Sequence, residues 1–352
     1  MYDISKIDRN FSIQSSLNID NIKFYDIQKE PFSVYGVFFE GGSYRRLPEK
    51  VAKSVSEGVE RLHLHAAGGR VKFQTNSSYV AIKAVMPVVS KMSHFALTGT
   101  AGFDLYVGKQ ERYYGSFLPR FDIKDGYESV LRFADRKQRQ ITINFPLYSS
   151  VSALYIGLEE DATLAKASQY KYQTPIVYYG SSITQGGCAS RPGNAYESIV
   201  SRALQADHIN LGFAGNAMAE DAITAYIKSM DMSVFVYDYD HNAPTLQHLQ
   251  DTHQKMFQAI RQQNPQLPIV ILSRPKYRLT AQEQERLAVI RKTYEDAVAC
   301  GDRNVFFIDG PALMKYAKDD GTVDNTHPND LGLSSMAKVL IQHLKPILKR
   351  TP

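Results

Sequence analysis

Residues 176–184 read Ile176-Val177-Tyr178-Tyr179-Gly180-Ser181-Ser182-Ile183-Thr184. Four apolar residues in a row and then Gly-Ser-Ser fit a strand buried on both faces that ends in a tight turn. The same kind of run returns at 209–213, 234–237, 269–272 and 305–308. Amphipathic stretches lie between them at 196–204, 217–227, 245–261 and 281–297, and 333–348 closes the chain. Asn194 with Glu197 three residues later resembles a capping box at the start of the first of these helices. Buried strands alternating with crossover helices predict an α/β class domain: three layers, α/β/α, around a five-stranded parallel sheet.

The first half has another rhythm. Val71, Phe73 and Thr75 alternate with polar neighbours, and strand-like runs follow at 79–85, 103–107, 141–145 and 151–158. Gly68-Gly69, Asn76-Ser77, Gly108 and Asp125-Gly126 punctuate them. Short strands so punctuated predict an antiparallel, jelly-roll-like β-sandwich. A short helix is expected near 48–58. His63 and His65, two apart on an expected strand, would share a face, read as an ordinary strand surface rather than a metal site. The period changes within the polar, Lys-rich 159–174 stretch, so the division expected is 1–165, an accessory sandwich, and 166–352, a catalytic domain.

Composition narrows the function. The chain has 352 residues, 43% apolar and 22% charged, which is enough to bury large cores without staples. Its net charge of +5 comes from 41 basic and 36 acidic residues spread along the chain, with no basic run, so no nucleic-acid partner is expected. Cys188 and Cys300 form neither metal-ligand spacing nor a disulfide framework. Met1 to Ile22 is polar and lacks the apolar core of a secretory leader, which sets the expectation of a cytoplasmic protein. No apolar stretch approaches the ~18 residues of a spanning helix, so no membrane partner is expected either.

In an open parallel sheet, ligands bind beyond the carboxyl ends of the strands. Beyond the first lies Gly180-Ser181-Ser182; beyond the second, Ala214-Gly215-Asn216; beyond the third, Asp240-His241-Asn242. Beyond the fifth lies Asp324-Asn325-Thr326-His327-Pro328. Each piece alone reads as a turn or a helix start. Together they place at one sheet edge the groups that acyl transfer needs. A serine hydroxyl attacks only when a base takes its proton, and histidine titrates near neutrality. Asp324, three residues before His327, is near enough to fix the imidazole tautomer. The Ser182 and Gly215 N–H groups and the Asn242 amide would receive the developing oxyanion.

These blocks resemble those of the SGNH hydrolases, also called GDSL esterases and lipases. Gly180 to Thr184 is similar to the first block, Asn210 to Asn216 to the second, Asp240 to Ala243 to the third and Asp324 to Asn329 to the last. The resemblance implies Ser182, Asp324 and His327 as the catalytic triad and Ser182, Gly215 and Asn242 as the oxyanion hole. Two departures stand out. Ser181 occupies the place of the usual Asp before the serine, and Asp240-His241-Asn242-Ala243 replaces the usual Gly-x-Asn-Asp. A sandwich ahead of such a domain is similar to the arrangement in bacterial carbohydrate esterases.

The expected function is a serine esterase that removes short acyl groups, acetyl above all, from saccharides through an acyl-enzyme. Its partner would be a small-molecule or oligosaccharide ester. No cofactor and no metal is expected. Arg191, Tyr196 and His241 are candidate substrate contacts. Alternatives are an acyltransferase with the same triad, a lipase- or thioesterase-like acyl hydrolase, and a carbohydrate-binding protein with an inactive site.

Overall fold

The structure, a computed structural model, describes residues 15–350. Most of the N-terminal stretch read for a leader lies outside them. Among the described residues, no helix is long and apolar enough to cross a membrane.

The second half is the expected α/β layer. Five parallel strands, Tyr172–Gly180, Ala206–Gly212, Val234–Asp238, Ile269–Leu272 and Val305–Ile308, order as second-first-third-fourth-fifth. Strand order therefore reverses between the first and third strands, and crevices for ligands open at such a reversal. Side chains alternate across the sheet. Ile176, Tyr178, Val236 and Val270 face helices Tyr196–Leu204 and Asp330–Arg350. Val177, Tyr179, Phe235 and Tyr237 face the opposite layer, which includes Asp221–Lys228, Leu246–Gln263 and Ala281–Ala299. Burying each such side chain stabilises the fold by about 1.5–3 kcal/mol.

The first half is an antiparallel sandwich. A four-stranded sheet contains Ile22–Asp26, Ala153–Glu159, Tyr79–Val85 and Gly126–Arg132. A six-stranded sheet contains Arg70–Thr75, Arg139–Asn144 and Phe103–Val107 in consecutive order, with Arg112–Phe117 at one edge. Between them lies a separate core that includes Val71, Phe73, Ile82, Phe103, Ile143 and Ile156.

Three expectations change. The helix near 48–58 is two helices, Glu49–Val55 and Glu57–Leu62, and Leu47, Ala52, Val59 and Leu62 pack into the core of the second half. His63 and His65 are on no strand face. His63 caps the second of these helices, and both imidazoles are buried. The capping box at Asn194 does not form. Ala195 is the N-cap, Asn194 donates to Asp330 Oδ2 at 2.9 Å, and Glu197 is buried against Asn210. A capping box does form at Thr280 and Glu283.

The halves meet along the edge strand Ala206–Gly212. Two fully buried arginines of the first half reach its outward carbonyls. Arg70 donates to His208 O at 3.1 Å, and Arg46 donates to Asn210 O at 3.1 Å and Gly212 O at 2.6 Å. The outward N–H groups of His208 and Gly212 are met by side chains: Asp207 Oδ1 accepts from His208 N and Asn210 Oδ1 from Gly212 N.

Candidate active site

The first strand delivers Ser182 to the crevice. Gly180 must be glycine, because a Cβ there would collide with Thr184 Oγ1 and Asp238 O. Ser181 then caps the short helix Ser182–Gln185, its side chain accepting from Ile183 N at 3.1 Å. Serine and aspartate are both strong N-caps, so the substitution noted at Ser181 keeps this local geometry. The result puts Ser182 at the first helical position, with its hydroxyl in the cleft.

His327 Nε2 lies 3.0 Å from Ser182 Oγ. On the other side of the ring, Nδ1 lies 2.7 Å from Asp324 Oδ2. An ionised carboxylate only accepts, so Nδ1 carries the hydrogen and Nε2 is left with the lone pair that a serine proton needs. The Asp324 carboxylate also accepts from the backbone N–H of His327 at 2.7 Å and of Thr326 at 3.1 Å. Desolvation pushes its pKa up, but these hydrogen bonds outweigh it and hold the carboxyl at about 2. Asp324 is thus a fixed anion at working pH.

Two further loops carry the expected oxyanion donors, Gly215 and Asn242. Gly215 sits at φ +72°, and a Cβ there would meet open space, as fits a backbone facing a cleft. Ala214 N donates to Gln185 Oε1 at 3.1 Å, which ties this loop to the helix of Ser182. Asn242 Oδ1 accepts from Ala217 N at 3.3 Å, leaving its amide N–H₂ free to donate. The unusual Asp240 before it is an anchor. Its carboxylate is 2% exposed and accepts from Arg286 Nε at 2.7 Å and Arg274 N at 3.2 Å, while Arg286 also holds Ala243 O at 3.1 Å. These contacts fix the loop that carries Asn242.

The first half completes the site. Tyr148 donates to Ser182 O at 2.8 Å, and Gln185 Nε2 donates to Leu147 O at 3.0 Å. The ring of Phe95 packs edge-on to both Tyr148 and His327, at centroid distances of 4.8 and 5.7 Å. None of these contacts has a local sequence signal, because each pairs residues distant in the chain.

Two expected substrate contacts lie elsewhere. Tyr196 is fully buried, with its hydroxyl donating to Asp238 Oδ2 at 3.2 Å, so no substrate reaches it. Arg191 is engaged by the first half of the chain. It pairs with Asp104 Oδ2 at 3.0 Å, bonds Tyr106 Oη and lies 3.8 Å from the Tyr113 ring centroid. A charge in a loop after the nucleophile carried no sign that a sandwich strand would claim it. His241 does lie beside His327. Burial, and then Arg274, push its pKa down to about 3, so it is neutral, and its Nε2 has no partner among the described residues. Cys188 and Cys300 are free thiols. Burial, with Asp324 adding to it, pushes Cys188 up to about 12, so its thiol is no resting nucleophile.

A serine, a histidine and an aspartate in relay at the switch point of a 2-1-3-4-5 sheet define an α/β/α serine hydrolase of the SGNH type. Residues 173–345 match the GDSL-like lipase/acylhydrolase family, and residues 22–164 match the N-terminus of Esterase_SGNH_hydro-type. The chain belongs to the GDSL-like lipase/acylhydrolase family and is an ester hydrolase by that membership. The name of the second model, GxDLY, has its counterpart in Gly102-Phe103-Asp104-Leu105-Tyr106. Asp104 of that segment accepts from Arg191 and, at 2.8 Å, from Gly193 N, so it holds the loop that follows the nucleophile helix.

No curated protein matches the chain. Among solved structures it is similar to one described as a GDSL-like lipase from Bacteroides ovatus ATCC 8483, with 28% identity, a TM-score of 0.83, and coverage of 94% of this chain and 98% of that one. The salicylyl-acyltransferase SsfX3 from a tetracycline biosynthetic pathway shares the fold at 19% identity and a TM-score of 0.74, covering 94% and 98%. A family two carbohydrate esterase from Cellvibrio japonicus does so at 12% identity and 0.64, covering 93% and 98%.

Proposed function

We propose that this chain is a serine esterase that removes short acyl groups, acetyl first among them, from saccharides. The observation that carries the reading is the relay itself: Ser182 Oγ at 3.0 Å from His327 Nε2, with Asp324 at 2.7 Å from Nδ1. In the first step His327 takes the Ser182 proton as the oxygen attacks the ester carbonyl. The oxyanion is received by Ser182 N–H, Gly215 N–H and the Asn242 amide. His327 then gives its proton to the departing sugar hydroxyl, leaving an acyl-Ser182. Water, deprotonated by the same imidazole, attacks that ester, and carboxylate and free serine result. Neutral His241, beside His327 and with a buried, unpartnered ring nitrogen, is the candidate substrate contact that remains.

Support for a saccharide leaving group comes from the fold shared along nearly the whole chain with carbohydrate esterases, one of them an acetyl xylan esterase from Butyrivibrio proteoclasticus. The test is acetate release from a panel of acetylated mono- and oligosaccharides beside long-chain aryl esters. Preference for acetylated sugars is expected. Equal turnover of acetyl and long-chain esters, with no acetate released from sugars, overturns the substrate assignment.

A second reading is acyl transfer by the same relay. It is favoured by the shared fold of the salicylyl-acyltransferase. Product analysis with an excess of a sugar acceptor separates the two: new ester in the products means transfer, and free carboxylate alone means hydrolysis.

A further inference from the structure

Three ligating side chains from three separate segments converge beside the relay. His94 comes from the turn after strand Tyr79–Val85, Cys188 from the loop that closes helix Ser182–Gln185, and His327 from the last loop. One ligand atom of each lies within 4.8 Å of the other two. Two further contacts hold the group together. The Cys188 thiol donates to His94 O at 3.4 Å, and the His94 and His327 rings lie 5.4 Å apart between centroids.

The hydrogen bonds of His327 decide which atom it can offer. Nδ1 is bound to Asp324, so the free lone pair is on Nε2, the atom that takes the Ser182 proton. One thiolate and two imidazoles are soft-to-borderline donors, the kind that hold zinc, and three protein ligands leave a fourth position open. Around a tetrahedral ion with such bonds, ligand atoms stand roughly 3.4–3.7 Å apart. Closing from at most 4.8 Å takes about 1 Å of movement, and the exposed His94 on its turn can supply it.

We propose that His94, Cys188 and His327 form a binding site for a divalent cation of the zinc type, and that its occupancy switches the hydrolase off. The inhibitory half of the proposal rests on the esterase reading. On binding, the Cys188 thiol gives its proton to solvent as the sulfur–metal bond forms. The His327 Nε2 lone pair goes to the metal, so nothing is left to accept the proton of Ser182. The ion needs no other protein ligand, and its removal restores the base.

The test is calorimetric titration of the metal-stripped full chain with zinc chloride, for wild type, Ser182→Ala, Cys188→Ala and His94→Ala. One ion per chain is expected in wild type and in Ser182→Ala. Affinity should fall at least about tenfold, near 1.4 kcal/mol, in each of the other two. Metal-stripped Cys188→Ala and His94→Ala should hydrolyse an aryl acetate at the wild-type rate, which shows that they fold. Their half-inhibiting zinc concentrations should rise by the factor seen in binding. Cobalt in place of zinc should give a near-ultraviolet thiolate band that Cys188→Ala lacks. Equal zinc affinity in wild type, Cys188→Ala and His94→Ala overturns the site. Saturating zinc that leaves hydrolysis intact overturns the switch. Because binding is read without turnover, a chain that binds zinc as described but is inert toward every ester would sink the esterase reading and leave the metal site standing.

Discussion

The side-chain oxygen of Asn242 accepts the backbone N–H of Ala217 at 3.3 Å, so the loop after the second strand sets the direction in which the Asn242 amide donates. The proposed oxyanion donors are therefore linked to one another before any substrate arrives, and such preorganisation is what makes a donor effective in the transition state.

Asn242→Ala should lower kcat toward an aryl acetate by about 10²–10³, or ~2.7–4 kcal/mol of barrier, with little change in KM. Steady-state kinetics check this. A loss of less than threefold would remove Asn242 from the oxyanion hole.

Ser182→Ala should abolish turnover above background. Asp324→Asn should leave the fold intact and reduce kcat by about 10⁴, because the amide no longer enforces the Nδ1–H tautomer of His327. Far-ultraviolet dichroism together with kcat makes the comparison. Equal rates for wild type and Ser182→Ala would end the catalytic assignment.

Arg191→Met separates a structural role of that residue from a substrate-binding one. The pair with buried Asp104 is lost, at a cost of roughly 1.5–3 kcal/mol for a charged hydrogen bond. Tm should fall by a few degrees, while KM for short acyl esters stays within twofold. A tenfold rise in KM at unchanged Tm would restore Arg191 to the substrate.

Glu197 gives a pH dependence with a definite sign. Complete burial raises its carboxyl from 4.5 to about 8, so the folded chain prefers it neutral. Its contribution is fully present below pH 4.5 and is lost as pH rises through 8, by a few kcal/mol in order of magnitude. Glu197→Gln stays neutral and should match wild type near pH 5 but melt higher at pH 9. Asp238, raised to about 6 by burial, titrates lower and is the same in both proteins. Parallel Tm curves from pH 5 to 9 would contradict the neutral Glu197.

What the sequence disclosed follows from the range of the interactions. The five apolar runs and the helices between them are local patterns, so the α/β/α layering was legible, as were Ser182, Asp324 and His327, which follow strand ends or share one turn. Strands such as Arg112–Phe117 and Gly126–Arg132 were not, because their burial is partial and their alternation weak. The surroundings of Arg191, Tyr196 and Glu197 are not legible in the sequence for one reason. Each is polar, lies near Ser182 in the chain and is paired inside the molecule by a residue far from it in sequence: Asp104, Asp238 and Asn210. The Asp240–Arg286 anchor escaped notice for the same reason.

The guanidinium groups of Arg46 and Arg70 on the carbonyls of residues 208, 210 and 212 bear on how the protein can be cut apart. Open strand edges are templates on which a second chain can add itself. Here that template is stoppered by side chains from the first 165 residues. A fragment beginning at 166 would keep every member of the Ser-His-Asp relay and yet expose a row of unsatisfied carbonyls, inviting edge-to-edge self-association. The first half thus covers that edge, and dissecting the enzyme for study is better done by substitution than by truncation.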